Sequence, residues 1–135
     1  MGKFYPLVLA FCCGVFPLRA QSIHFDRLDI NDGLSQNTVT SIIQDDKGFM
    51  WFGTKDGLCR YDGKSFKTFM HDPRLTAGLG NSLIKRLVQD HGHRIWVGTD
   101  SGLYIYDPET EHFSGVPLYA ADGKPVTKPV SILDC

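Results

Sequence analysis

One stretch of this chain is written twice, 45 residues apart, and that repeat limits the possible folds more than any other feature. Trp51-Phe52-Gly53-Thr54-Lys55-Asp56-Gly57-Leu58 returns as Trp96-Val97-Gly98-Thr99-Asp100-Ser101-Gly102-Leu103, and 96 − 51 = 45. The same offset pairs Gly33 with Gly78, Leu34 with Leu79, Gln44 with Gln89, Asp45 with Asp90, Tyr61 with Tyr106 and Asp62 with Asp107. A period of about 40–50 residues marks stacked or radial copies of one supersecondary unit. A residue doubled in register has a structural explanation before a catalytic one.

Each copy reads as four short strands. In the first, Val39 to Gln44 is a β-branched run and Asp45-Asp46-Lys47-Gly48 a turn. Phe49 to Thr54 follows, then the hairpin signal Lys55-Asp56-Gly57, then Leu58 to Tyr61. Asp62-Gly63-Lys64 turns again into Ser65 to Met70. In the second copy the strands are Leu83 to Gln89, Arg94 to Thr99, Leu103 to Tyr106 and His112 to Val116, with Pro108 where the first has Gly63. Four strands in one period is the size of a β-propeller blade. The fold class expected is therefore all-β, with four-stranded antiparallel blades. Ile23 to Leu28 reads as a lone strand ahead of the first copy, and Ile132-Leu133-Asp134 falls where a third copy would begin. A closed propeller takes at least about four blades, so the pattern predicts an incomplete propeller, a piece of a larger ring. The expected organisation is residues 1–20 as leader, 21–32 as the lone strand of a missing closing blade, 33–77 and 78–122 as the two repeats, and 123–135 as the start of a third.

The first twenty residues differ in kind from the rest. Lys3 precedes an almost wholly apolar run from Leu7 to Phe16, and Ala20 offers a small residue before Gln21. This pattern predicts a secretory signal peptide; the run is short for a membrane span of about 20 residues. A retained anchor is the alternative, and Phe11 before Cys12 argues against lipidation at Cys12 or Cys13. Two cysteines then remain, Cys59 and Cys135, which is no disulfide framework. Charge is nearly balanced, 14 Lys and Arg against 15 Asp and Glu, with no basic cluster. Contact with nucleic acid is not expected.

The doubled residues read as scaffold. Alternation puts Phe49 and Trp51 on one face and Met50 and Phe52 on the other, and both faces of a blade are expected to be buried. Gly53 and Gly98 would end a strand where a side chain would obstruct a neighbour. Thr54 and Thr99 would bond to turn backbone. Gly57 and Gly102 would carry the hairpin, Leu58 and Leu103 would follow it inward, and Tyr61 and Tyr106 would fill space with a hydroxyl that needs a partner. Chemistry-bearing alternatives are poor. His91-Gly92-His93 has no third ligand at a metal-site spacing. Asp45-Asp46 with Asp56 lacks a calcium-loop pattern. Neither a nucleophile elbow nor a phosphate-cradling loop is present. No catalytic residue, metal or cofactor is expected in this segment, and the sequence nominates no ligand-binding residue.

Gly33-Leu34-Ser35-Gln36-Asn37-Thr38-Val39, then Ile43-Gln44-Asp45, then Phe49 to Gly63 resemble the repeat of the two-component regulator propeller sensors. The resemblance runs from about Ile23 to Asp134; the second copy departs at Ser82, against Asn37, and at His93, against Gly48. It implies the N-terminal part of a large periplasmic sensor of the hybrid two-component systems typical of Bacteroidetes. An immunoglobulin-like domain, a membrane span, a histidine kinase and often receiver and DNA-binding domains would follow. It also implies an oligosaccharide ligand, a membrane-spanning homodimer and control of glycan-utilisation genes. Two rival readings are a secreted propeller enzyme, such as a lyase or glycosidase, and a short secreted module that assembles blades from several copies.

Overall fold

The computed structural model describes residues 24–125. The expected leader, 1–20, and the residues beyond Pro125 that would begin a third copy lie outside that range.

Eight strands form two separate four-stranded antiparallel sheets. The first holds β1 (Val39–Gln44), β2 (Met50–Thr54), β3 (Gly57–Tyr61) and β4 (Phe66–Phe69), side by side in chain order. The second repeats the order with β5 (Ile84–Gln89), β6 (Ile95–Thr99), β7 (Leu103–Asp107) and β8 (His112–Val116). Both first strands carry the same register shift, at Thr40 and at Lys85, where the ladder skips one residue. Such a shift sharpens the local twist, and its recurrence shows that the repeat extends to backbone irregularities.

The first hairpin is tighter than its Asp-Gly signal implies. Thr54 pairs with Gly57, so Lys55 and Asp56 alone span the turn and Gly57 is already in the strand. Gly57 sits at φ 115, with Phe69 O 3.1 Å from where a Cβ would stand. Any other residue would be strained in backbone and side chain together.

Of the lone strand expected at Ile23 to Leu28, Ile23 lies outside the described residues, and His24 to Leu28 form no strand. A strand exists only when paired, and none of the described residues pairs with this segment. The chain instead enters through a 3₁₀ turn, Ile30–Asp32, closed by a capping box between Asp29 and Asp32.

The core lies between the sheets. Trp51, Leu58, Leu79, Ile84, Leu87, Ile95, Val97, Tyr106 and Phe113 are buried there in one cluster. Ring centroids of Trp51 and Tyr106 are 5.0 Å apart, those of Phe69 and Phe113 5.4 Å, and those of Trp51 and Phe69 6.0 Å. Edge-to-face and offset contacts at such separations suit the ring quadrupole. The outer faces are covered only in part, although Cys59, beneath Ser35 on the first of them, is buried. Phe52, Tyr61 and Phe66 on one outer face, and Trp96, Leu103 and Ile105 on the other, remain partly exposed. The expectation of two buried faces per blade thus fails in this structure, because each sheet has one neighbour among the described residues.

Candidate functional site

The seam between the sheets gathers half of the doubled motif. Trp51 is completely buried, and its indole Nε1–H donates to Asp45 Oδ2 at 2.8 Å. The other oxygen of Asp45 accepts from the backbone N–H of Lys47 and of Phe49, at 3.0 and 2.9 Å. The second copy repeats this arrangement: Trp96 Nε1–H to Asp90 Oδ2 is 2.8 Å, and Asp90 Oδ1 accepts from Gly92 N and Arg94 N. One carboxylate in each copy thus ties the first turn to the tryptophan of the second strand. Sequence reasoning missed this role, although the 45-residue offset paired Asp45 with Asp90. What hid it is that a hydrogen bond from an indole six residues away leaves no mark in the pattern of apolar residues.

Charge follows from these bonds. The indole donor of Trp96, then the Arg94 guanidinium and the turn amides, hold the Asp90 carboxyl well below the ordinary carboxylate range. A carboxylate depressed in the folded state contributes stability above the unfolded value, near 3.9, and loses it as pH falls through the folded value. Asp90→Asn should therefore lower the urea midpoint at neutral pH, and its gap to the parent should shrink steadily below about pH 4. A gap independent of pH would refute the assignment.

The remaining doubled residues fall into place by contact. A Cβ on Gly53 would lie 2.6 Å from Ile84 Cγ2, so this glycine lets β5 approach. Thr54 Oγ1 donates to Gly57 O at 2.9 Å and accepts from Asp56 N at 3.0 Å. Thr99 does the same with Gly102 O, at 2.9 Å, and Ser101 N, at 3.2 Å. Leu58 is buried in the seam, whereas Leu103 and Gly98 line the open outer face of the second sheet beside Trp96 and Val88. Tyr106 is buried against Trp51, with its hydroxyl 3.4 Å from Arg60 Nη1, and burial pushes its phenol up. Tyr61 instead stacks on Phe66 within its own sheet, at 4.6 Å. The two copies are therefore oriented alike: the tryptophan side of each sheet faces onward along the chain, and the tyrosine side faces back.

Polar groups also cross the seam. Thr40 Oγ1 lies 3.0 Å from Gly53 O and 2.8 Å from Ile84 O. Gly57 N donates to Ser82 O, and Leu87 N donates to Ser41 Oγ. Arg60 stacks over Phe49 at 4.8 Å and meets Glu111 Oε1 at 3.3 Å, while Lys67 Nζ reaches Glu111 Oε2 at 2.6 Å. Glu111 comes from an insertion. Tyr61 pairs with Phe66, five residues on, but Tyr106 pairs with Phe113, seven on, so the last turn of the second copy is two residues longer. A fixed 45-residue offset cannot show such a local insertion.

None of these groups makes an arrangement for covalent chemistry. Among the described residues there is no group of three or more His, Cys, Asp or Glu placed to hold a metal ion. His93 pairs with Asp46. Asp45, from the acidic trio weighed in the sequence, is committed to Trp51. What the arrangement does is hold two sheets face to face in a repeated register.

Three comparisons bear on that geometry. Residues 33–56 match the family described as two component regulator propeller. A histidine kinase P4 of Formosa agariphila is 39% identical over 75 residues, 54% of this chain and 5% of the kinase. The extracellular domain of a protein described as a hybrid two component system from B. thetaiotaomicron superposes with a TM-score of 0.68 at 32% identity. The match covers 77% of this chain and 15% of that domain. A second extracellular domain from the same organism, described as part of a one component system, gives 0.59 at 25% identity over 70% of this chain and 14% of that domain. The chain thus spans a small part of every one of these relatives. Its repeat motif, its pair of four-stranded sheets and the structures it superposes on agree: residues 33–56 match the two-component regulator propeller repeat, and the two sheets are similar to part of the extracellular domain of a hybrid two component system.

Proposed function

We propose that this chain is part of the ligand-sensing propeller of a hybrid two-component sensor kinase, exported to the periplasmic side of the inner membrane. In the whole protein the propeller binds glycan fragments. A membrane-spanning homodimer then passes the signal by phosphorelay to the transcription of genes that use those glycans. The observation that carries this reading is the superposition of 77% of the chain on the extracellular domain of a hybrid two-component system. The internal geometry supports it as well. Some of the doubled residues, Trp51, Gly53, Leu58 and Tyr106, hold one sheet against the next, as a large ring of repeats requires.

The test is genetic. A strain deleted for this gene, grown on a panel of purified polysaccharides, should lose induction of one set of transport and degradation genes on one glycan, and keep growth on glucose. Unchanged transcript profiles across the panel would refute the sensing role.

A further inference from the structure

The first turns of the two sheets meet in a contact that the repeat motif does not require. His93 stands 45 residues after Gly48, and both take the left-handed region, φ 64 and φ 89. A side chain there carries a steric cost that glycine avoids. The His93 side chain crosses the seam, and its Nδ1 pairs with Oδ2 of Asp46. Asp46 is itself held from the second sheet: Gln89 Nε2 donates to its Oδ1 at 2.7 Å, and its backbone N–H donates to Gln89 Oε1 at 3.2 Å. In the first copy the corresponding Gln44 turns to its own Gly48 carbonyl instead, at 3.3 Å. Two positions of the second copy, 89 and 93, are thus redirected from their own turn to the neighbouring blade.

We propose that Asp46, Gln89 and His93 form a latch that fastens the first turn of one blade to the first turn of the next. Lys47, Arg94, Asp107 and Glu109 share the cleft of about 360 Å³ in which Asp46 and His93 meet. Arg94 is engaged with Asp90, at 2.7 Å. Isolated surface pairs contribute little because both partners must be ordered. Here Gln89 orders the carboxylate and the left-handed turn orders the imidazole. The Asp46 carboxyl is held below its usual range, first by Gln89 and also by His93. The latch thus joins the carboxylate of one sheet to an amide and an imidazole of the other. It stands on the two turns alone and is independent of what the sensor binds.

A double-mutant cycle on the full chain tests it: Asp46→Asn, His93→Gly and the pair, read as urea unfolding at neutral pH. His93→Gly keeps the turn, since glycine is what the first copy uses there. The expected coupling is about two- to fivefold in the folding equilibrium constant. Additive effects overturn the proposal. Hydrogen exchange at the Asp46 amide gives a second reading that does not depend on global unfolding. His93→Gly should speed that exchange relative to the parent, and an unchanged rate would also overturn the proposal.

Discussion

Trp51→Ala should cost about 3–5 kcal/mol, the range for deleting a fully buried large aromatic, while Trp96→Ala in the same chain should cost about 1–2 kcal/mol. The two residues are equivalent in sequence and bond the same turn aspartate, at 2.8 Å in each copy. They differ in what lies over the ring. Trp51 is sealed by Phe69 and Tyr106 of the seam, whereas Trp96 looks out from the second sheet beside Val88, which is 52% exposed. Removing Trp51 also strands the Asp45 carboxylate, 8% exposed, without its indole donor, a further penalty for a buried acceptor. Total stabilities of small domains are about 5–15 kcal/mol, so the first substitution should leave the chain marginal and the second should leave it folded. Urea titrations at neutral pH would show it. Equal costs would mean that the tryptophans act through their own hairpins rather than through the seam.

Gly53→Val should be strongly destabilising. Its Cβ would stand 2.6 Å from Ile84 Cγ2 and 3.2 Å from Ile84 Cβ. Ile84 is buried and β-branched, so it has no free rotamer to retreat into. Overpacking of this kind costs about 1–3 kcal/mol or more, and the relief available is for β5 to move away from β2, which opens the seam at its centre. Trimming the obstacle should compensate. Gly53→Val with Ile84→Ala should be clearly more stable than the sum of the two single changes predicts, as expected for groups in direct contact. Strict additivity would show that the glycine serves its own strand instead of the approach of the next sheet.

The strands were largely legible because their causes are local. Val39 to Gln44 and His112 to Val116 have the bounds that their residue types imply, and the other strands agree within a residue or two. The seam was less legible, because its determinants act between copies. The offset showed that glycine recurs at 53 and 98, but not that one of them receives Ile84 while the other lines an open face. Asp45 and Asp90 recur just as visibly, yet a carboxylate in a turn reads as solvated until its indole partner is placed. Glu111 was hidden by an insertion, and the cross-seam grip of His93 by a position that glycine normally fills. At His24 to Leu28 the residue types favour a strand, but no described partner pairs with it. Strand propensity describes a fit to a neighbour that sequence alone does not supply.

The most direct test of the sensor reading is to determine the genomic sequence downstream of the codon for Cys135. The account predicts that the same or a shifted frame continues with another Trp-x-Gly-Thr about one repeat after Trp96, with more blades, a membrane span and a histidine kinase beyond. A verified stop followed by unrelated sequence would contradict it, and would leave two blades to act on their own.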